Sequence, residues 1–269
     1  MAEKNSKQRS QPMLCGDLSF SVAEAYKLLR TNLMYLMPNL TCRIIGITSA
    51  ISGEGKSSTA INLAYTIAEA GKKVLLIDGD LRMPTIAKKL GITRSPGFSN
   101  LLVGLCEYSD LIKEPHLLPS LYVIPAGDIP PNPSELLGSE QMGKILDYFS
   151  KSFDFIIVDL PPVNIVSDAL AAFNYLQGIL VAVRQNYSDK RTLSECVQLL
   201  SVLQSKSIGF VMTDVAPTNK TYRKYRRYGK YSKYDKYYSR YRYGYGYGYG
   251  YGYGNSNSNR NKKEQGDKS

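Results

Sequence analysis

One stretch restricts the possible folds more than any other: Thr48-Ser49-Ala50-Ile51-Ser52-Gly53-Glu54-Gly55-Lys56-Ser57-Ser58. It follows a short apolar run at 43–48 and leads into a helical pattern over 57–71. A buried strand that empties through a glycine-rich turn into a helix needs cover on both faces, which only a layered α/β arrangement supplies. The glycines let backbone N–H groups turn inward around an anion, and the helix N-terminus adds its positive dipole end. An accidental glycine-rich turn is the competing reading, and it is weak in this strand–loop–helix setting. The loop therefore reads as a phosphate-binding P-loop formed by Ser52, Gly53, Glu54, Gly55, Lys56, Ser57 and Ser58, with Ala50 standing where the first glycine is usual.

The rest of the chain up to residue 216 repeats this alternation. Further apolar runs lie at 73–78, 121–125, 154–159, 178–183 and 208–213, with helical patterns at 139–150, 167–176 and 188–204. The runs are continuously apolar, as strands buried on both faces are. Before them, 19–37 reads as a helix capped by Ser19 or Ser21 and stopped by Pro38. Its apolar stripe is Val22, Ala25, Leu28, Leu29, Leu33 and Leu36. The expected architecture is an α/β domain over 18–216, a mostly parallel central sheet flanked by helices. A loose N-terminus over 1–17 is expected before it. No apolar run approaches 18 residues and the N-terminus carries no apolar leader, so neither a membrane span nor a secretory signal is expected. Cys15, Cys42, Cys106 and Cys196 form no C-x-x-C pair. Together with a single histidine, His116, this points to inert thiols in a reducing compartment and away from a zinc site.

Two acidic clusters follow apolar runs. The first is Asp78-Gly79-Asp80-Leu81-Arg82, at the end of the 73–78 run. Open α/β sheets bind ligands at the carboxyl ends of their strands. Asp78 and Asp80 fall on one side of an extended stretch, so one can support Mg²⁺ while the other accepts a proton from an attacking hydroxyl. The competing reading is a solvated loop with an Asp80–Arg82 ion pair. The second is Phe155-Ile156-Ile157-Val158-Asp159-Leu160-Pro161-Pro162, in which an acid closes an apolar strand, a Walker-B arrangement that partners the metal. Its competing reading is a strand-capping aspartate. With the P-loop, these residues imply ATP and Mg²⁺. Lys56 is expected on the β- and γ-phosphates, and Ser57, Asp78 and Asp159 on the metal.

The formal charge of +11 is not spread over the chain. Residues 1–216 hold 20 basic and 20 acidic side chains, whereas 217–269 hold 14 basic and 3 acidic, with 14 of the 22 tyrosines. This excludes a uniformly basic nucleic-acid-binding fold. In the tail, Tyr222, Tyr225, Tyr228, Tyr231, Tyr234 and Tyr237 recur at a spacing of three among Lys and Arg, followed by Tyr238 and Tyr241. Tyr243, Tyr245, Tyr247, Tyr249, Tyr251 and Tyr253 then alternate with glycine. Without aliphatic residues this segment cannot build a core, so 217–269 reads as disordered. As a flexible coil it spans roughly 40 Å, enough to reach a neighbouring subunit.

These motifs together resemble the bacterial tyrosine kinases. The MinD, ParA and nitrogenase-iron-protein group shares the architecture, but carries an early loop lysine where this chain has Ile51. Five features carry the kinase resemblance: the loop 49–57, the segment 78–82, the segment 158–162, the tyrosine cluster, and Gly127-Asp128-Ile129-Pro130-Pro131-Asn132-Pro133-Ser134-Glu135-Leu136-Leu137. The resemblance implies tyrosine autophosphorylation with MgATP on the tail, in trans between subunits, in the regulation of capsular and extracellular polysaccharide synthesis. It implies that Asp80 orients or deprotonates the tyrosine hydroxyl and that Arg82 neutralises developing charge. It further implies a separate transmembrane activator, a cognate phosphatase and a cytoplasmic location at the inner face of the membrane. Ring-like self-association would run through Glu24, Lys27 and Arg30, where Lys27 replaces the family's first arginine and loses its bidentate fork. Thr213 stands where relatives often carry asparagine near the adenine. The rival readings are a partitioning-type P-loop ATPase whose Tyr/Arg tail binds nucleic acid or membrane, and a plain solubility tail. No specific nucleic acid is expected.

Overall fold

The computed structural model describes residues 14–113, 117–201 and 207–215. The tyrosine cluster of 222–253, the tail expected to be disordered, and His116 lie outside the described residues. Within the stretch expected to be loose, Cys15–Asp17 form one 3-10 turn, and Leu14 packs against the core.

The elements alternate as expected: α1 (Phe20–Leu36), β1 (Arg43–Ser49), α2 (Lys56–Glu69), β2 (Val74–Asp78), α3 (Ile86–Leu90), α4 (Phe98–Leu102), α5 (Tyr108–Leu111), β3 (Leu121–Ile124), α6 (Pro133–Leu137), α7 (Glu140–Ser150), β4 (Phe155–Asp159), α8 (Asp168–Ala172), β5 (Gly178–Arg184), α9 (Lys190–Ser201) and β6 (Ser207–Thr213). All six apolar runs are strands. The sheet is parallel in every pair, with order β3-β2-β4-β1-β5-β6. The short helices α3 to α6 escape sequence periodicity, since four or five residues make barely one turn.

Strand side chains alternate between two cores, which is why the runs are apolar throughout. Ile45, Ile47, Leu76, Phe155, Ile157 and Leu180 pack beneath α1 and α2. Ile44, Leu75, Ile77, Ile156, Val158 and Val181 pack against α4, α7, α8 and α9 on the other face. The stripe expected on α1 is narrower than its sequence suggests. Leu33 is buried and Leu29 partly so, while Val22, Leu28 and Leu36 face outward. Cys42 and Cys196 are free thiols, and burial pushes both up to about 11. No helix among the described residues is long and apolar enough to cross a membrane.

Candidate active site

The parallel register brings the acids together. Asp78 and Asp159 end neighbouring strands and are direct register partners, and Ile47 of β1 sits opposite Asp159 on its other side. The P-loop leaves β1 two residues later, so its mouth opens over this pair. Lys56, the first residue of α2, reaches back across it. Its Nζ donates to Asp80 Oδ2 at 2.7 Å and lies 3.6 Å from Asp159 Oδ1 and 3.4 Å from Ser57 Oγ. Asp80 also accepts from the Met83 N–H at 3.0 Å. Asp78 Oδ2 accepts from the Ile86 N–H at 3.0 Å, which anchors the start of α3. The Asp80–Arg82 pair of the competing reading does not form, because Asp80 pairs with Lys56 and Arg82 with Asp168.

Burial and like charge set the electrostatics. Burial, reinforced by Asp159, raises Asp78 from 3.8 to about 7, against the Ile86 N–H and Lys56, which favour its charged form. Burial likewise raises Asp159, opposed by Lys56 and the nearby Ser57 hydroxyl. For Lys56, burial disfavours the ammonium, but Asp159, Asp80 and Asp78 more than reverse this and raise its pKa. Asp78 Oδ1 and both oxygens of Asp159 are buried without a hydrogen bond of ordinary length.

These features fit a magnesium nucleotide. No three His, Cys, Asp or Glu side chains among the described residues converge as a protein-only metal cage. The unbonded oxygens of Asp78 and Asp159 beside the Ser57 hydroxyl are instead the sparse hard-oxygen set that would suit Mg²⁺ together with phosphate oxygens and water. Gly53 and Gly55 adopt φ of +87° and +90°, which turns the loop backbone inward.

The loop is braced from β5 and β6, and sequence spacing carries no signal of this. Glu54, expected among the phosphate-binding residues, is fully buried. Its carboxylate accepts from the Ile51 N–H at 2.9 Å and from Ser188 Oγ. Thr213 Oγ1 donates to the Glu54 carbonyl at 2.6 Å, so this position supports the loop backbone. Tyr187 donates to the Ser52 carbonyl at 3.2 Å. Arg184 stacks over Tyr187 and pairs with Asp214 at 2.7 Å.

Arg82 lies apart from the Lys56 cluster. It makes a two-pronged pair with Asp168 of α8, at 2.7 and 2.9 Å, and Asp168 also accepts from Ser134 of α6 at 2.6 Å. Burial works against Asp168, yet Arg82 and Ser134 hold its carboxyl below the ordinary range. The proline-rich segment is thereby tied to the start of α8 and to the loop that leaves β2. On α1, Glu24 and Lys27 pair with each other at 2.8 Å, while Arg30 donates to the Thr66 carbonyl of α2 at 2.7 Å. Two of the three residues expected at a subunit interface are thus half-buried and paired with each other, and the third is engaged with α2.

A parallel sheet with a P-loop over paired strand-end carboxylates defines a P-loop nucleoside-triphosphatase fold. A family model described as an AAA domain matches residues 42–213. Tyrosine-protein kinase YwqD of Bacillus subtilis is 34% identical over 193 residues, covering 71% of this chain and 80% of YwqD. The kinase domain of Escherichia coli tyrosine kinase ETK superposes with a TM-score of 0.71 at 27% identity, over 92% of this chain and 89% of that domain. At 22% identity, MinD of Pyrococcus horikoshii, solved with Mg-ADP, shares the fold alone, with a TM-score of 0.56 over 66% of this chain and 72% of MinD. The chain belongs to the bacterial tyrosine kinases, and its enzymatic class is protein-tyrosine kinase.

Proposed function

We propose that this kinase transfers the γ-phosphoryl group of MgATP to tyrosines 222–253 of its own tail, in trans between subunits of a homo-oligomer. The observation that carries the chemistry is the Lys56 ammonium held between Asp80 and Asp159 beneath the P-loop. A bound magnesium nucleotide would supply the phosphoryl group and a divalent charge to offset its phosphates. Ser57, Asp78 and Asp159 would hold the metal, and the backbone of 52–58 would cradle the phosphates. Lys56 exchanges Asp80 for a phosphate oxygen, which frees Asp80 Oδ2. Asp80 then accepts the tyrosine proton as the phenol oxygen bonds to phosphorus and the bond to ADP breaks. Arg82 holds the Asp80 loop in register through Asp168, a supporting role in place of direct charge neutralisation.

The tail's composition supports it as the acceptor: exposed phenols, glycines that keep the segment threadable, and cations that offset added phosphate charge. The family's polysaccharide role extends to this chain as regulation of capsular or extracellular polysaccharide synthesis and export. A separate transmembrane activator holds the kinase at the inner face of the membrane, Glu24, Lys27 and Arg30 contribute to self-association, and a phosphatase resets the tail. Co-expression with the activator, followed by a phosphotyrosine blot, tests this reading. Lys56→Met should abolish the signal, and a signal that persists refutes the assigned site.

A further inference from the structure

Lys89 is a charged group beside the P-loop to which the mechanism above gives no task. It stands on α3, the helix whose first N–H is bonded to Asp78. Its Nζ donates to Ser58 Oγ at 3.0 Å. Ser58 lies in the first turn of α2, two residues beyond Lys56. Lys89 is partly withdrawn from water and forms no ion pair among the described residues. An ammonium in that position is costly without an anion beside it. Burial, aided by the like charge of Lys56, lowers its pKa, while Asp159 and Asp78 act on it only through their longer-range field.

The direction of the hydrogen bond adds chemistry to this energetic argument. A serine hydroxyl carries one hydrogen to donate. Lysine can only donate, so Ser58 Oγ is the acceptor here and its own hydrogen is left for another partner. Among the described residues nothing accepts it. We propose that Lys89 is a positioning residue for the nucleotide phosphates: by donating to Ser58 Oγ it commits the Ser58 hydroxyl as a donor to a phosphate oxygen, and it adds a second positive charge beside Lys56. The inference rests on the proposed role of the 52–58 loop. The bland alternative is a lysine stem covering apolar surface while its head finds a convenient hydroxyl. That alternative predicts a change in stability without a change in nucleotide affinity.

The two separate by measuring MgATP dissociation constants by calorimetry, and KM and kcat, on the full chain. Lys89→Met should raise the dissociation constant and KM about tenfold, as loss of a charge-assisted hydrogen bond does, with kcat changed much less. Lys89→Arg should restore most of the affinity. Ser58→Ala should weaken binding as well, and the double variant should lose less than the sum of the two single losses. Unchanged affinity and KM in Lys89→Met, whatever its melting temperature, overturns the proposal, as do strictly additive effects with Ser58→Ala. Lys56→Met is the control for the loop itself: if it binds MgATP normally, the phosphate-binding reading fails and Lys89 falls with it. If Lys56→Met loses binding while Lys89→Met keeps it, only Lys89 is misassigned.

Discussion

At the scale of residues, the site is a charge-balance problem in which Asp80 and Asp159 share one ammonium at 2.7 and 3.6 Å, with Asp78 adding its field from farther off. Asp78 absorbs much of the strain, with its carboxyl raised to about 7. Below about pH 4 the folded and unfolded chains both hold this proton. Between about 4 and 7 only the folded chain keeps it, so stability falls as pH rises through that window and the loss is complete above it. Melting curves in chelator-containing, nucleotide-free buffer should show wild type losing stability relative to Asp78→Asn from pH 4 to pH 7, on the order of a few kcal/mol. Parallel curves for the two proteins would contradict it. Asparagine keeps the acceptor for the Ile86 N–H, so the comparison isolates the charge. The residues that would be recruited to this chemistry were legible in sequence, because glycines, a lysine and strand-ending aspartates are types that phosphate and Mg²⁺ demand. The pairings were not: Asp80 with Lys56 and Arg82 with Asp168 join positions 24 and 86 residues apart.

At the scale of elements, two braces hold the site, one on each side. Glu54, Thr213 and Tyr187 tie the P-loop to β5 and β6. Asp168 ties the start of α8 to the exit of β2 and to α6. Asp168 has no exposed surface and serves two donors, one from α6 and one from the loop after β2. Its replacement leaves Ser134 and the guanidinium of Arg82 short of a partner, although Arg82, 45% exposed, can turn to water. Asp168→Ala should therefore lower stability by about 1–3 kcal/mol in chemical denaturation. Because the Asp80 loop loosens with it, phosphotyrosine formation should fall more than MgATP binding does. A variant with native stability and activity would show the brace to be idle. The proline-rich segment could be recognised in sequence, but its docking through Ser134 could not, since a lone Asp168 in an apolar stretch carries no periodic signal.

At the scale of the whole molecule, the +11 charge and the tyrosines are concentrated in 217–269 beside a charge-balanced domain. Each phosphotyrosine adds about −1.5 to −2, so roughly six would cancel the excess. Native mass spectrometry across a phosphorylation time course should show assemblies loosening as that number is approached, and unchanged oligomer mass at high occupancy would defeat the idea. The sequence by itself determined the six strands, the parallel α/β class, the P-loop and the acids that face it. Local periodicity and residue chemistry encode those features directly, since each depends on neighbours a few residues away. Only the tertiary structure decided the strand order that sets Asp78 opposite Asp159, the burial of Glu54 against Ser188, the diversion of Arg82 to Asp168 and of Arg30 to α2, and the approach of Lys89 to Ser58. Those outcomes depend on which charges burial brings within a few ångströms of each other, and separation along the chain says nothing about that distance.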